Sequence, residues 1–342
     1  MSRYEKVQGE LRRSPKTWLV TGAAGFIGSH LVEKLLRLGQ SVIGLDNFST
    51  GSQRNLDDVK AALAPQERDG FRFQSGDICN PDDCLRACTG VDYVLHQAAL
   101  GSVPRSLNDP VRSHQNNVDG FMNILLAARD AKVKRFVYAS SSAVYGDHPA
   151  LPKVEDVIGQ PLSPYAATKL INEIYAQVFS RCYGLPVVGL RYFNVFGPRQ
   201  DPNGAYAAVI PRWFSALLRG EEVVINGDGE TSRDFCYVDN VVQANLLAAA
   251  GLVDSGARVV NIAVGRRSTL NALASHLQTV LASELDGRSP RIVHKPERTG
   301  DIRHSLADIT LAQQQLGYAP THTLEQGLAE ARDWHVGSLV VV

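Results

Sequence analysis

Residues 17–46 constrain the fold more than any other stretch of the chain. Trp18-Leu19-Val20 is a short apolar run ending in Thr21, the pattern of a buried strand. Gly22-Ala23-Ala24-Gly25-Phe26-Ile27-Gly28 follows. Apolar residues then recur at helical period through Leu31, Val32, Leu35, Leu36 and Leu38, with Gly39 as the stop. Ser41–Leu45 reads as a second strand closing on Asp46. The glycines have separate tasks in such a unit: Gly22 permits the tight turn, Gly25 lets backbone approach a pyrophosphate, and Gly28 lets helix pack closely on strand. The helix start offers unpaired N–H groups and partial positive charge to an anion. An acid about 20 residues after the glycines accepts hydrogen bonds from a ribose and repels a 2′-phosphate. The segment therefore predicts a dinucleotide site that favours NAD over NADP. Phe26 and Ile27 fall at the pyrophosphate, and Asp46, Asn47, Phe48, Ser49 and Gly51 at the adenosine.

Beyond it, short apolar runs at Phe71–Gln74, Tyr93–His96, Phe136–Ala139 and Val187–Leu190 alternate with helical patterns. This alternation predicts an α/β fold with a doubly wound parallel (Rossmann) sheet. Ligands in such sheets sit beyond the carboxyl ends of the strands. Gly76-Asp77-Ile78, Gln97-Ala98-Ala99, Ser140-Ser141-Ser142 and Tyr192-Phe193-Asn194-Val195 then converge on one crevice. Asp77 has two readings there, a partner for the adenine amino group or a turn-forming aspartate. Gly197–Gly204 is rich in turn residues and separates a dinucleotide domain, residues 17–196, from residues 197–342, which form mainly a smaller mixed lobe. In that lobe Glu222–Ile225 and Val259–Ile262 read as strands, and Asn240–Ala250, Leu270–Leu285 and Leu324–Trp334 as helices. Residues 1–16 form an N-terminal extension with no assigned role.

The 35 basic and 35 acidic residues cancel, and no charge block marks a nucleic-acid or membrane surface. Residues 1–16 lack the apolar centre of a signal peptide, and no run approaches the length of a membrane span. Five cysteines without a Cys-x-x-Cys pair fit a reducing compartment, so a cytoplasmic location is expected. Cys79, Cys84 and Cys88 lack zinc-site spacing, so no metal is expected, and they read as small buried hydrophobes.

Tyr165 and Lys169, in Ser163-Pro164-Tyr165-Ala166-Ala167-Thr168-Lys169, stand one helical turn apart and leave the same helix face. A free phenol titrates near about 10; bringing it to about 7 takes about 4 kcal/mol of differential stabilisation. A fixed ammonium and a nearby cationic ring act in that direction. The expected outcome is a tyrosine working as a base.

The glycine turn, Asp46, the serine run before Val144-Tyr145-Gly146 and the Tyr165/Lys169 pair together resemble the extended short-chain dehydrogenase/reductase family, from about Lys16 to Trp334. Within it the chain looks most like UDP-hexose 4-epimerases, especially bacterial UDP-N-acetylglucosamine 4-epimerases of surface-polysaccharide pathways. Related 4,6-dehydratases carry Thr-Asp-Glu ahead of Val-Tyr-Gly, where this chain has Ser141-Ser142-Ala143. Elimination of water then lacks its acid and base. The resemblance implies Ser141 as the catalytic hydroxyl and Ser142 as a substrate contact; a slip of one residue exchanges them. It implies tightly bound NAD and a UDP-sugar oxidised at C4 and reduced again from the other face.

The same resemblance assigns the nucleotide to Ala208, Val209, Arg212, Ile225, Asn226, Arg233, Arg298 and Asp301, with Asn194 also on the substrate. Ser305 stands where glucose/galactose-restricted enzymes carry a tyrosine, leaving room for an N-acetyl group, unless it is an ordinary surface serine. Gly101 and Ser102 add space and a hydrogen bond. A homodimer packed through two helices per subunit is implied as well. The competing readings are a UDP-uronic acid 4-epimerase or another redox-neutral nucleotide-sugar enzyme, a non-catalytic NAD sensor, and a net dehydrogenase.

Overall fold

The computed structural model describes residues 1–203, 207–251, 256–288, 291–297 and 302–339. Its centre is a seven-stranded sheet: β1 (Thr17–Thr21), β2 (Ser41–Asp46), β3 (Phe71–Ser75), β4 (Tyr93–His96), β5 (Arg135–Ser141), β6 (Val187–Tyr192) and β7 (Arg258–Ile262). Every neighbouring pair is parallel, in the order β3-β2-β1-β4-β5-β6-β7. Helices cover both faces, so the strands read as apolar runs rather than as alternating ones; all six residues of β6 are buried. The order reverses between β1 and β4, the position at which an open sheet of this kind leaves a crevice.

Six helices matter below: α1 (Arg3–Arg13), α2 (Phe26–Arg37), α3 (Pro164–Tyr183), α4 (Val209–Arg219), α5 (Val238–Ala250) and α6 (Leu324–Leu339). The glycine-turn helix α2 buries Leu31, Val32, Leu35 and Leu36 against the sheet, each contributing roughly 1.5–3 kcal/mol. The N-terminal extension is a helix. Ser2 caps α1 by accepting from the Glu5 N–H, Glu5 reaches back to the Ser2 N–H, and Val7 and Leu11 are buried where α1 packs on α5.

The strands expected before residue 197 all form, within two residues of their expected ends. Residues after 197 belong mainly, though not wholly, to the lobe. Residues 258–262, read from sequence as part of the lobe, are β7 at the edge of the main sheet, and α5 is the helix that brings the chain back to it. The lobe proper is α4, the parallel pair Val223–Asn226 and Ile292–Lys295, helix Leu270–Val280 and α6. Its core is separate, built on Trp213, Phe214, Leu217, Leu273, Leu277 and Leu328. Cys84 and Cys88 are buried as expected, but Cys79 is exposed, because it lies in the turn after Asp77 rather than on the helix face that packs inward. Among the described residues, no helix is long and apolar enough to cross a membrane.

Candidate active site

The carboxyl ends of the central strands open on a cleft of about 370 Å³. Gly22, Gly25, Phe26, Ile27, Gly28, Asp46, Gln97, Ala98, Ala99, Gly101, Ser140, Ser141, Tyr165, Lys169, Tyr192, Asn194 and Val195 line it, together with Thr50 and Ala139, which the sequence did not single out. A narrower pocket continues past Asp46 along Asn47, Ser49, Gly76, Ile78 and Ala99.

Two of the glycines are sterically obligatory. Gly22 has φ +70°, and a Cβ there would come within 2.9 Å of the Ala98 nitrogen; a Cβ on Gly28 would sit 1.9 Å from the Gly22 carbonyl oxygen. Gly25 caps α2 without a side chain, leaving the first amides of that helix to the cleft. Asp46 accepts the Ala24 N–H on Oδ2 at 2.9 Å and the Phe48 N–H on Oδ1 at 2.8 Å. Each oxygen keeps a lone pair for a ribose hydroxyl. Burial pushes the Asp46 carboxyl up, with these backbone hydrogen bonds opposing. An open cradle of amides at a helix start, followed by an acid held by its own loop, fits a dinucleotide.

Asp77 does form a turn. Its Oδ1 accepts the Cys79 N–H at 2.8 Å and its Oδ2 accepts from Asn47 Nδ2 at 3.0 Å, and its neighbours Gly76 and Ile78 line the pocket. Phe48, at φ 58°, packs on Phe73 instead. Gly51 lies against Ala24. Ser102 caps helix Val103–Asn108 by accepting the Arg105 N–H.

Ser163 starts α3 by accepting the Ala166 N–H at 3.1 Å, with Pro164 at the first helical position. Tyr165, Lys169 and Glu173 then follow on successive turns of one face. Tyr165 and Ser141 line the same cleft, where the Ser141 hydroxyl pulls the phenol down, while Ser142 opens the short helix Ser142–Tyr145. Of the two serines, Ser141 lines the cleft. Lys169 Nζ donates to the Ala139 carbonyl at 2.8 Å and lies 5.9 Å from the centre of the Tyr165 ring. The expected lowering of the phenol by Lys169 does not appear: burial pushes Tyr165 up, and the Ser141 hydrogen bond alone pulls it down. Burial also brings Lys169 down to about 8, with Glu173 acting the other way. At this distance in a poorly hydrated site, desolvation of both groups outweighs their mutual effect.

Beneath the pair runs a network the sequence reading missed. Ser140 Oγ donates to Glu173, and Arg191 grips Glu173 with Nε at 2.9 Å and Nη2 at 2.8 Å. Both side chains are about 95% buried. Arg191 lies over the Tyr145 ring at 4.9 Å, and the Tyr145 hydroxyl donates to Asn261 at 2.7 Å. Two signals were legible: Glu173 continues the four-residue spacing of Tyr165 and Lys169, and Arg191 is a charge inside an apolar strand. At the other wall, Tyr192 donates to Gln97 at 3.0 Å, Gln97 to Asn245 at 3.1 Å and Asn245 to the Tyr192 oxygen at 2.9 Å, a closed ring. Asn117, which bridges Leu100 and Thr168, was missed as well.

On the lobe side Asn194, at φ 34°, donates to the Asp234 carbonyl at 3.2 Å. The Asp234 carboxylate accepts the Val264 and Gly265 N–H groups at 3.0 Å each. Ala208 precedes α4, Val209 begins it and Arg212 is exposed on it. The Ile225 side chain is fully buried in the lobe core, because alternate residues of its strand face inward. Only its main chain is left for a ligand, and Asn226 is the half-buried neighbour at the strand end. Arg233 Nη1 donates to the carbonyls of Ser232 and Arg303, and the Ser305 N–H donates to the same Ser232 carbonyl, which makes Arg233 and Ser305 neighbours. Arg298 and Asp301 lie outside the described residues.

Known proteins resemble this chain over nearly its full length. The chain is 39% identical over 314 residues to a UDP-glucose 4-epimerase of Mycolicibacterium smegmatis, covering 91% of this chain and 96% of that one. Among solved structures, a UDP-N-acetylglucosamine 4-epimerase from Methanobrevibacter ruminantium, in complex with UDP-N-acetylmuramic acid, superposes with a TM-score of 0.86 at 40% identity, covering 95% of this chain and 99% of that one. A UDP-glucuronic acid 4-epimerase from Bacillus cereus, in complex with UDP-glucuronic acid and NAD, superposes at 0.83 with 31% identity, covering 94% and 99%. Residues 18–263, from the glycine-turn strand to the end of the seventh, match the family model itself. The chain that carries this glycine cradle and cleft thus belongs to the NAD dependent epimerase/dehydratase family.

Proposed function

We propose that the protein interconverts the C4 epimers of a UDP-N-acetylhexosamine, UDP-GlcNAc and UDP-GalNAc, through a 4-keto intermediate, with UDP-Glc and UDP-Gal turned over more slowly. One observation carries the reading: Tyr165 and Ser141 line one cleft with the glycine cradle, and the residues after Ser141 are Ser142 and Ala143, not acids. That arrangement can move a proton at a carbinol oxygen but cannot assist loss of water from the neighbouring carbon. Gly22, Gly25, Gly28 and Asp46 would hold NAD, which supplies a hydride acceptor that is restored at the end of each cycle.

Tyr165 accepts the proton of the C4 hydroxyl, and Ser141 hydrogen-bonds the same oxygen. Burial raises the phenol, so the charge that offsets it must come from groups close to the ring once the cleft is filled. Lys169 supplies one such charge, and Glu173 keeps Lys169 protonated in a site that otherwise favours the neutral amine. Anchoring falls to Arg233, Arg212 and Asn226 on the lobe, joined by Arg298 and Asp301. A diphosphate held there leaves the hexose free to present its second face. Ser305, next to Arg233, leaves volume beside C2 where a phenol would close it.

Incubating the protein with each UDP-sugar and resolving the products by chromatography tests this. Epimer exchange without added oxidant is expected, and Tyr165→Phe should lower kcat by roughly 10²–10⁴-fold with an unchanged melting temperature. Release of water, or net NADH, removes the reading. Likeness to uronate epimerases makes UDP-glucuronic acid the control substrate; preferential turnover of it would replace the acetylated sugar.

The active form is a homodimer by the same reading. α3 turns Lys169 and Glu173 inward while Ile174 and Val178, one turn apart on its outer face, stay 54% and 42% exposed. Leu107 and Val111, at 60% and 66%, extend that apolar face on the adjoining helices. Sedimentation equilibrium at monomer mass would remove the dimer.

A further inference from the structure

A second cavity of about 380 Å³ lies on the other side of the glycine-turn helix start, between the loop after Asp46 and the lobe. It shares Phe26 and Thr50 with the dinucleotide cleft and is otherwise separate. Three guanidinium groups line it, those of Arg54, Arg199 and Arg219, against the single carboxylate of Asp201 among the described lining residues.

Three buried polar atoms on residues bordering it have no partner within the protein. Arg199 is 9% exposed; its Nη2 pairs with Glu33, while its Nη1 is buried and has no hydrogen-bond partner. His335, 4% exposed and stacked on Phe214, has no partner for Nε2, and the Ser338 hydroxyl one turn further along α6 has none either. A buried polar atom without a partner costs about 1–3 kcal/mol, and the three residues that carry these atoms all border one cavity. Such a wall suits an oxyanion, which accepts from guanidinium and hydroxyl donors together. Helix Gln53–Ala62, ten residues long and capped by Ser52, begins at the same cavity and adds its positive end.

We propose that this cavity binds a phosphate-bearing small molecule other than the dinucleotide and the sugar nucleotide, and that its occupancy slows release of NAD. The mechanical link is short. The Ala24 carbonyl, in the glycine turn, accepts the Ser52 N–H at 3.0 Å and Asn55 Nδ2 at 2.9 Å. Residues 52–55 therefore connect the turn that holds a pyrophosphate to the arginines. A phosphate bridging Arg54 to Arg199 and Arg219 would clamp that loop against the lobe and keep the cradle shut.

The test uses NAD-loaded protein with its sugar-nucleotide site saturated by UDP, titrated calorimetrically with inorganic phosphate and with pyrophosphate. Saturable binding tighter than about 10 mM is expected. Arg219→Ala, an exposed position away from the catalytic groups, should weaken binding about tenfold, leave epimerisation unchanged without phosphate, and abolish the slowing of NAD release seen on gel filtration. Arg54→Ala should do the same, which keeps the result readable if either variant is poorly folded. The proposal is overturned by absent binding, by binding indifferent to both substitutions, or by a release half-time that phosphate does not lengthen.

Discussion

The two sides of the cleft are built by different means. On the sheet side the site is set by backbone: the strands end in register, so that Thr21 faces Leu45 and His96, and Ser141 faces Tyr192. Close approach of Gly22 and Gly28 locks the helix start in place. On the lobe side the strands are two to four residues long, and position is set by side chains reaching to main chain, as Asp234, Asn194 and Arg233 do. A backbone-defined half tolerates little change and serves any member of a family. A side-chain-defined half can be retuned one residue at a time, which is where substrate choice belongs.

The sharpest way to break this contrast is Glu173→Gln. It strands the buried Arg191 guanidinium and should cost about 3–5 kcal/mol in denaturant unfolding; a loss below about 1 kcal/mol would mean that the sheet side does not depend on its ion pair. Gly28→Ala comes next. Its methyl must displace the Gly22 carbonyl, so about 1–3 kcal/mol of stability and retention of NAD on gel filtration should fall together, whereas a lobe substitution such as Arg212→Ala should affect neither.

A pH profile probes the same wall more finely. The Lys169 amine is charged below about 8, so kcat/KM should decline on the alkaline side of that value. Lys169→Arg, charged throughout, should lose that limb. The stability counterpart has the opposite sense: the folded value lies below the ordinary lysine value, so the unfolded chain holds more protons between about 8 and 10.5, and the cost of burying the charge is relieved as pH rises through that window. The smallest expected effect is on the lobe. Ser305→Tyr should lower kcat/KM for UDP-GlcNAc about tenfold more than for UDP-Glc, and equal losses would detach Ser305 from sugar choice.

Legibility in the sequence followed the same division. Parallel strands buried on both faces leave continuous apolar runs, and the glycine turn is a local pattern, so the sheet and most of the cleft wall could be read directly. Residues 258–262 could not be placed, because a strand's pattern does not say which sheet it joins after a crossover through α5. The rise that burial gives Tyr165 was not legible either: spacing reveals that Lys169 is near, while burial, which dominates both groups, depends on everything packed around them. Ile225 shows the limit on the lobe, where a four-residue strand does not announce which of its faces is inside. The Glu173–Arg191 pair joins residues from α3 and β6, and no single stretch of chain contains it.

Helix α1 leaves the ribosome before anything it touches. Val7 and Leu11 pack on α5, and Arg3 donates to the carbonyls of Gly251 and Gln315. An amphipathic segment must therefore wait, through most of translation, for its docking surface to be made.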